Sequence, residues 1–181
     1  MATDSVQPGH NTQGQLVDPT LGNLRPFHLA IPVHNLEEAK AFYGGVLGLK
    51  EGRSSTKWQD YELFGSQLVV HWVGEDYRGR DYFNPVDGDE VPVPHFGAAL
   101  LADEFETLAQ RLKDQGVKFI IEPHVRFQGQ KGEQSTMFFK DPSNNNLEFK
   151  AMKNQGYLFE KVGNYWEPII LNVLYVLVMF L

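Results

Sequence analysis

Residues 27–33, FHLAIPV, and residues 95–102, HFGAALLA, open two copies of one pattern, and that repetition decides the fold. In the first, Phe27, Leu29, Ile31 and Val33 alternate with His28, Ala30 and Pro32, the period of a half-buried strand, so His28 points away from the apolar face. Asn35 then caps a helical stretch, NLEEAKAFYGGVLG, in which Leu36, Ala39, Phe42 or Tyr43, and Val46 or Leu47 recur at helical spacing and Gly48 supplies the stop. Three short strand candidates follow: LKEGRSSTK, WQDYELFG and SQLVVHWVG. The second copy repeats the order. After HFGAALLA, the stretch DEFETLAQRLKDQG has Asp103 at the expected cap, Glu106 three residues on, Phe105, Leu108 and Leu112 on one side, and Gly116 as the stop. VKFIIEPHVRF, EQSTMFFKD and NNLEFKAM supply three more strands.

Each half therefore reads βαβββ, and the class is α+β: two tandem modules forming an eight-stranded, cup-shaped mixed sheet around a metal site. The domain spans 25–152, with module 1 at 25–74, a linker at 75–94 and module 2 at 95–152. The linker, EDYRGRDYFNPVDGDEVPVP, shows no clean periodicity. Residues 1–24 are polar and rich in Gly, Gln and Asn, with no basic segment followed by an apolar one, and read as a flexible arm rather than a secretory signal. Residues 153–181 form an extension ending in the apolar run IILNVLYVLVMFL at 169–181. As a helix that run spans only about 20 Å against a hydrocarbon core of about 30 Å, so no integral membrane span is expected.

The chain has 181 residues, no cysteine and a formal net charge of −7. The acidic balance argues against nucleic acid as the partner, because neutralising phosphates requires clustered Lys and Arg. Without thiols, any metal is held by His, Asp, Glu or backbone oxygen. The repeat nominates four such groups. His28 maps onto His95 at an offset of 67 residues, and aligning LVVHW (68–72) with NLEFK (146–150) sets His71 opposite Glu148 at an offset of 77. The four include a 2-His-1-carboxylate set, which holds Fe(II), Zn, Ni or Mn and leaves coordination positions open for substrate or water.

The stretches PFHLAIPVHNLEEAKAFYGGVLGL, VPVPHFG and MFFKDPSNNNLEFK together resemble the vicinal oxygen chelate superfamily, which includes glyoxalase I, fosfomycin-resistance proteins and extradiol ring-cleavage dioxygenases. NPVDGDEVPVPHFG and EPHVRFQGQKGEQSTMFF are most similar to a small branch described as predicted extradiol-type dioxygenases. That resemblance implies a cytoplasmic homodimer and Fe(II) bound by His28, His95 and Glu148 from the first, fifth and eighth strands of the cup. It makes His71 a nearby acid/base group and a small catechol-like molecule the substrate, oriented by Arg126, Gln130 and Lys131 from the loop, with His124 a candidate to line the pocket beside them. One departure is that such enzymes carry a Tyr ten residues before the metal Glu, where this chain has Phe138. The resemblance to glyoxalase I implies instead four ligands, His28, His71, His95 and Glu148, and a lyase acting on a hemithioacetal, with Glu148 both ligand and the catalytic carboxylate that moves the proton. A non-catalytic small-molecule binding protein is the third reading. The two halves either close the cup within one chain or exchange between two.

Overall fold

The two stretches that open the repeat become edge strands of two four-stranded sheets. The computed structural model describes residues 26–154, together with 156, 158 and two short strands, Gly9–His10 and Leu16–Val17, that pair antiparallel within the N-terminal arm. The C-terminal apolar run lies outside the described residues. Among those described, no helix is long and apolar enough to cross a membrane.

Module 1 comprises β1 (His28–Val33), α1 (Leu36–Lys40), β2 (Lys50–Ser54), β3 (Trp58–Leu63) and β4 (Ser66–Trp72). Its sheet order is β1-β4-β3-β2, with β1 parallel to β4 and the other pairs antiparallel. Asn35 caps α1 as expected, its side-chain oxygen accepting from the Glu37 and Glu38 amides at 3.0 and 3.2 Å. The helix then widens into a π-helical turn at Ala41–Val46, where Gly44 and Gly45 lower helix propensity. The wider turn lets the consecutive residues Phe42 and Tyr43 both face the core.

Module 2 comprises β7 (His95–Leu100), α2 (Ala102–Asp114), β8 (Phe119–Arg126), β9 (Gln134–Lys140) and β10 (Asn146–Met152), in the order β8-β9-β10-β7 with β7 parallel to β10. The cap of α2 differs from expectation. Leu101 holds the cap position, and Glu104 rather than Glu106 reaches back, accepting from the Leu101 amide at 2.8 Å. Between the modules, the segment read as a linker without clean periodicity contains a hairpin, β5 (Tyr82–Val86) and β6 (Asp89–Val93). Asp87 and Gly88 turn it at φ values of 51° and 89°. Asp-Gly is the dipeptide that suits a two-residue turn with both central φ angles positive.

One core joins the modules. Ile31, Val33, Phe42, Tyr43, Leu68 and Val70 pack with Leu100, Phe105, Leu112, Phe139, Leu147 and Phe149. Polar contacts cross the same junction: Tyr43 donates to Asp141 Oδ2 at 2.9 Å, the Asn145 amide to the Pro32 carbonyl at 3.0 Å, and Arg111 to the Gly45 and Val46 carbonyls at 2.8 Å. Asp141 also accepts from the Ser143 and Asn145 amides at 2.8 Å, so the DPSNNN run is a turn-forming device that ties β9 to β10. Burial pushes the Asp141 carboxyl up, against the pull of its hydrogen bonds to Asn145, Tyr43 and Ser143. Tyr43→Phe is expected to cost about 1.5–3 kcal/mol, the range for a buried bond to a charged group. Urea denaturation checks this, and an unchanged midpoint would mean that the bond contributes nothing to the junction.

Candidate metal centre

His95 is the first residue of β7, and Glu148 lies on the adjacent β10, in register with Gly97. His95 Nε2 stands 3.3 Å from Glu148 Oε2. The other ring nitrogen, Nδ1, is 2.7 Å from the Pro92 carbonyl, an acceptor only, so Nδ1 carries the proton that bonds it. A neutral His95 therefore turns the Nε2 lone pair toward a carboxylate oxygen. Two electron-pair donors facing each other at this distance require a cation between them, either a proton or a metal ion. The donor set fits a divalent metal, and the Pro92 bond is the kind of outer contact that fixes a ligand's tautomer.

Glu148 is buried, at 7% exposure. Thr136 Oγ1 donates to Oε1 at 2.9 Å, and Lys150 Nζ stands 3.3 Å from Oε2. Burial alone raises the Glu148 carboxyl, but the His95 bond, the Lys150 charge and the Thr136 bond together outweigh it and hold the group below its ordinary value. The Glu148 bond raises His95, burial opposes it, and the Pro92 bond adds to the rise. Phe138 meets the His95 ring edge-on at 5.2 Å, forming an apolar floor.

His28 is built the same way. Its Nδ1 is 2.7 Å from Gln67 Oε1, and the Gln67 amide is oriented by its own bond to Asp60 Oδ2 at 3.1 Å, which Arg53 also contacts at 3.2 Å. In both modules, then, the first residue of the first strand is an imidazole with Nδ1 on a carbonyl oxygen, which leaves Nε2 as the available ring nitrogen; in His95 it faces Glu148, and His28 is an exposed residue. Gln67 beside His28 corresponds to Asn146 beside His95, an offset of 79 residues. The expected equivalence of His71 with Glu148 is therefore two residues out of step. Val69 holds the place of Glu148, and His71 is exposed beside Trp58 and Pro32, four residues along β4 from Gln67 and about 13 Å from it at strand rise. His71 is not brought to the ligand level.

Nor does one chain bring His28 to His95 and Glu148. Among the described residues, no group of three or more His, Asp or Glu side chains converges to hold a metal ion. The reason is the shared core: Ile31 and Val33 on β1, and Leu147 and Phe149 on β10, point into it. By alternation, His28 and Glu148 leave their strands on the opposite faces, away from the junction.

The residues expected to orient substrate divide into two pairs. Gln130 and Lys131 are exposed in the turn between Gly129 and Gly132. Arg126 and His124 instead hold the β5–β6 hairpin against β8. Arg126 is 4% exposed, donates to the Val86 carbonyl at 2.7 Å and stands 3.5 Å from Asp89, which His124 Nε2 approaches at 3.2 Å. Arg126 is thus a buried support for the wall of the site rather than a loop residue, because the hairpin that covers it was not foreseen. Thr136, Gln67 and Lys150 were missed. Lys150 had a readable signal, since it follows Glu148 by two positions on one strand.

A family model described as "Glyoxalase/Bleomycin resistance protein/Dioxygenase superfamily" matches residues 25–149. Glutathione transferase FosA of Serratia marcescens is 27% identical over 124 residues, covering 67% of this chain and 76% of that protein. The crystal structure of a glyoxalase/bleomycin resistance protein/dioxygenase from Alicyclobacillus acidocaldarius is 33% identical, with a TM-score of 0.63 over 75% of this chain and 96% of that one. Lactoylglutathione lyase from Agrobacterium tumefaciens shares the fold at 19% identity, with a TM-score of 0.52 over 76% of this chain and 97% of its own. With two βαβββ modules and a family match across both, the chain belongs to the glyoxalase/bleomycin resistance/dioxygenase superfamily.

Proposed function

We propose that this chain is a divalent-metal enzyme whose centre is shared between two copies, His95 and Glu148 from one and His28 from the other, and whose substrate chelates the ion through adjacent oxygens. The observation that carries this reading is the matched anchoring of two imidazoles, each with Nδ1 on a carbonyl oxygen and Nε2 left available, on faces that turn away from the chain's own core. A homodimer follows, because one chain offers only part of the ligand set. Exposed Tyr82 and Phe83 on the hairpin, and Phe27 beside His28, supply apolar surface for a second copy to cover.

When bound, the metal supplies Lewis acidity and open coordination positions. The chain's own residues set the rest. Glu148 brings negative charge into a half-enclosed site, Thr136 and Lys150 hold its orientation, and Phe138 keeps one side dry. Three ligands of the 2-His-1-carboxylate type favour Fe(II) and an extradiol-type dioxygenase acting on a small catechol-like substrate. Val69 at the fourth position weighs against the four-ligand lyase on a hemithioacetal. A second reading, thiol transfer from glutathione, draws on the similarity to the Serratia transferase.

Oxygen uptake with catechols by anaerobically Fe(II)-loaded protein separates the readings. Uptake is expected. No uptake, with glutathione joined to a supplied electrophilic co-substrate whose leaving oxygen takes the electron pair, transfers the assignment to the transferase. Purified protein free of divalent metal that still binds catechols unchanged after His28→Ala removes both enzyme readings and leaves a binding protein.

A further inference from the structure

The floor of the proposed centre carries a cation for which the ligand set has no use. Lys150 leaves β10 on the same face as Glu148, two residues further along, and its ammonium stands 3.3 Å from Glu148 Oε2. The same oxygen receives His95 Nε2 at 3.3 Å. Register sets Lys150 between Thr136 on β9 and Ala99 on β7, neither of which is charged. Among the described residues, Glu148 is the one carboxylate at ion-pair distance from Lys150. The lysine side chain is still 32% exposed, so its head group faces the open side of the sheet rather than the core.

One carboxylate thus answers two cationic demands. With a divalent ion on His95 and Glu148, the carboxylate charge is committed to the metal, and the ammonium is left beside a like charge in a partly buried site. A local excess of positive charge of this kind is balanced by an anion from solution. Arg126, another cation of this module, is buried and committed to the hairpin. We propose that Lys150 is a substrate-binding residue that pairs with an oxyanion of the substrate, a carboxylate separate from the two chelating oxygens. This rests on the metal-centre reading above and narrows its substrates to anionic chelators.

The test uses the full chain loaded with Zn(II), its metal content measured first, and calorimetric titration with catechol, 2,3-dihydroxybenzoate and 3,4-dihydroxybenzoate, which share one vicinal diol with and without a carboxylate. The native chain is expected to bind at least one carboxylated probe more tightly than catechol by about tenfold or more. Lys150→Met is expected to keep its metal, to weaken that probe by about 10- to 100-fold, and to leave catechol within about threefold. Lys150→Arg is expected to recover most of the loss. Equal weakening of all three probes, no weakening at all, or loss of metal in Lys150→Met would each overturn the proposal, because Lys150 would then only balance Glu148. Absence of metal from the native chain is a different failure, visible before any probe is added, and it removes the centre itself.

Discussion

Glu148→Gln is expected to reduce the divalent-metal affinity of the protein by more than about 100-fold, since loss of an outer contact alone typically costs 10- to 100-fold and this change removes a ligand's charge. The substitution preserves shape, so the Thr136 contact and the packing around β10 remain. What disappears is the negative charge that His95 and Lys150 both face at 3.3 Å. Metal content after dialysis against a weak chelator, measured by elemental analysis beside the native chain, checks this. Native-level metal in the variant would remove Glu148 from the centre.

The second large effect comes from a residue with no side chain. Gly97 lies directly opposite Glu148 in the β7–β10 ladder, and a Cβ there would stand 1.6 Å from the Glu148 carbonyl oxygen and 2.7 Å from its carbonyl carbon. Both are backbone atoms, so nothing flexible can yield. Gly97→Ala is expected to destabilise the fold by about 4 kcal/mol or more, the range reached only by severe steric or burial defects. Any folded fraction would carry a displaced β10 and a metal affinity reduced with it. Thermal denaturation reads the first effect and metal content the second. A variant melting with the native chain would show that the two strands are not held at this spacing.

The repeat and the strand faces of its candidate residues were legible for a local reason. FHLAIPV and HFGAALLA alternate with period 2, so the face on which His28 and His95 sit could be read without knowing anything distant. Glu148 was nominated by the same alternation. The error over His71 shows where that reasoning stops. A slip of two residues preserves the alternation and keeps every side chain on its face, so pattern alone could not distinguish Val69 from His71 as the counterpart of Glu148. Register is fixed by the ladder between β1 and β4, a contact between distant parts of the chain. The hairpin at 82–93 was missed despite its Asp87-Gly88 turn, because Pro85 and Pro92 and the surrounding charges mask strand periodicity. With the hairpin unseen, the burial of Arg126 could not be anticipated. The orientation of the modules was also beyond reach, since it depends on Phe42 and Tyr43 entering the core together through a widened helical turn.

The DPSNNN run illustrates a separation between what marks the family and what does chemistry. Asp141 serves a turn and the Tyr43 contact, whereas the carboxylate that faces His95 is Glu148, seven positions on. Similarity in that run supports the fold more strongly than the reaction.

The shared centre is tested most directly by the metal content of chains carrying His28→Ala co-expressed with chains carrying Glu148→Gln. Each variant alone is expected to hold only background metal. In a mixed dimer, one centre carries both substitutions and the other carries neither, so random pairing is expected to restore about one quarter of the native content. Background metal in the mixture, beside fully loaded native protein, would contradict a centre built from two copies.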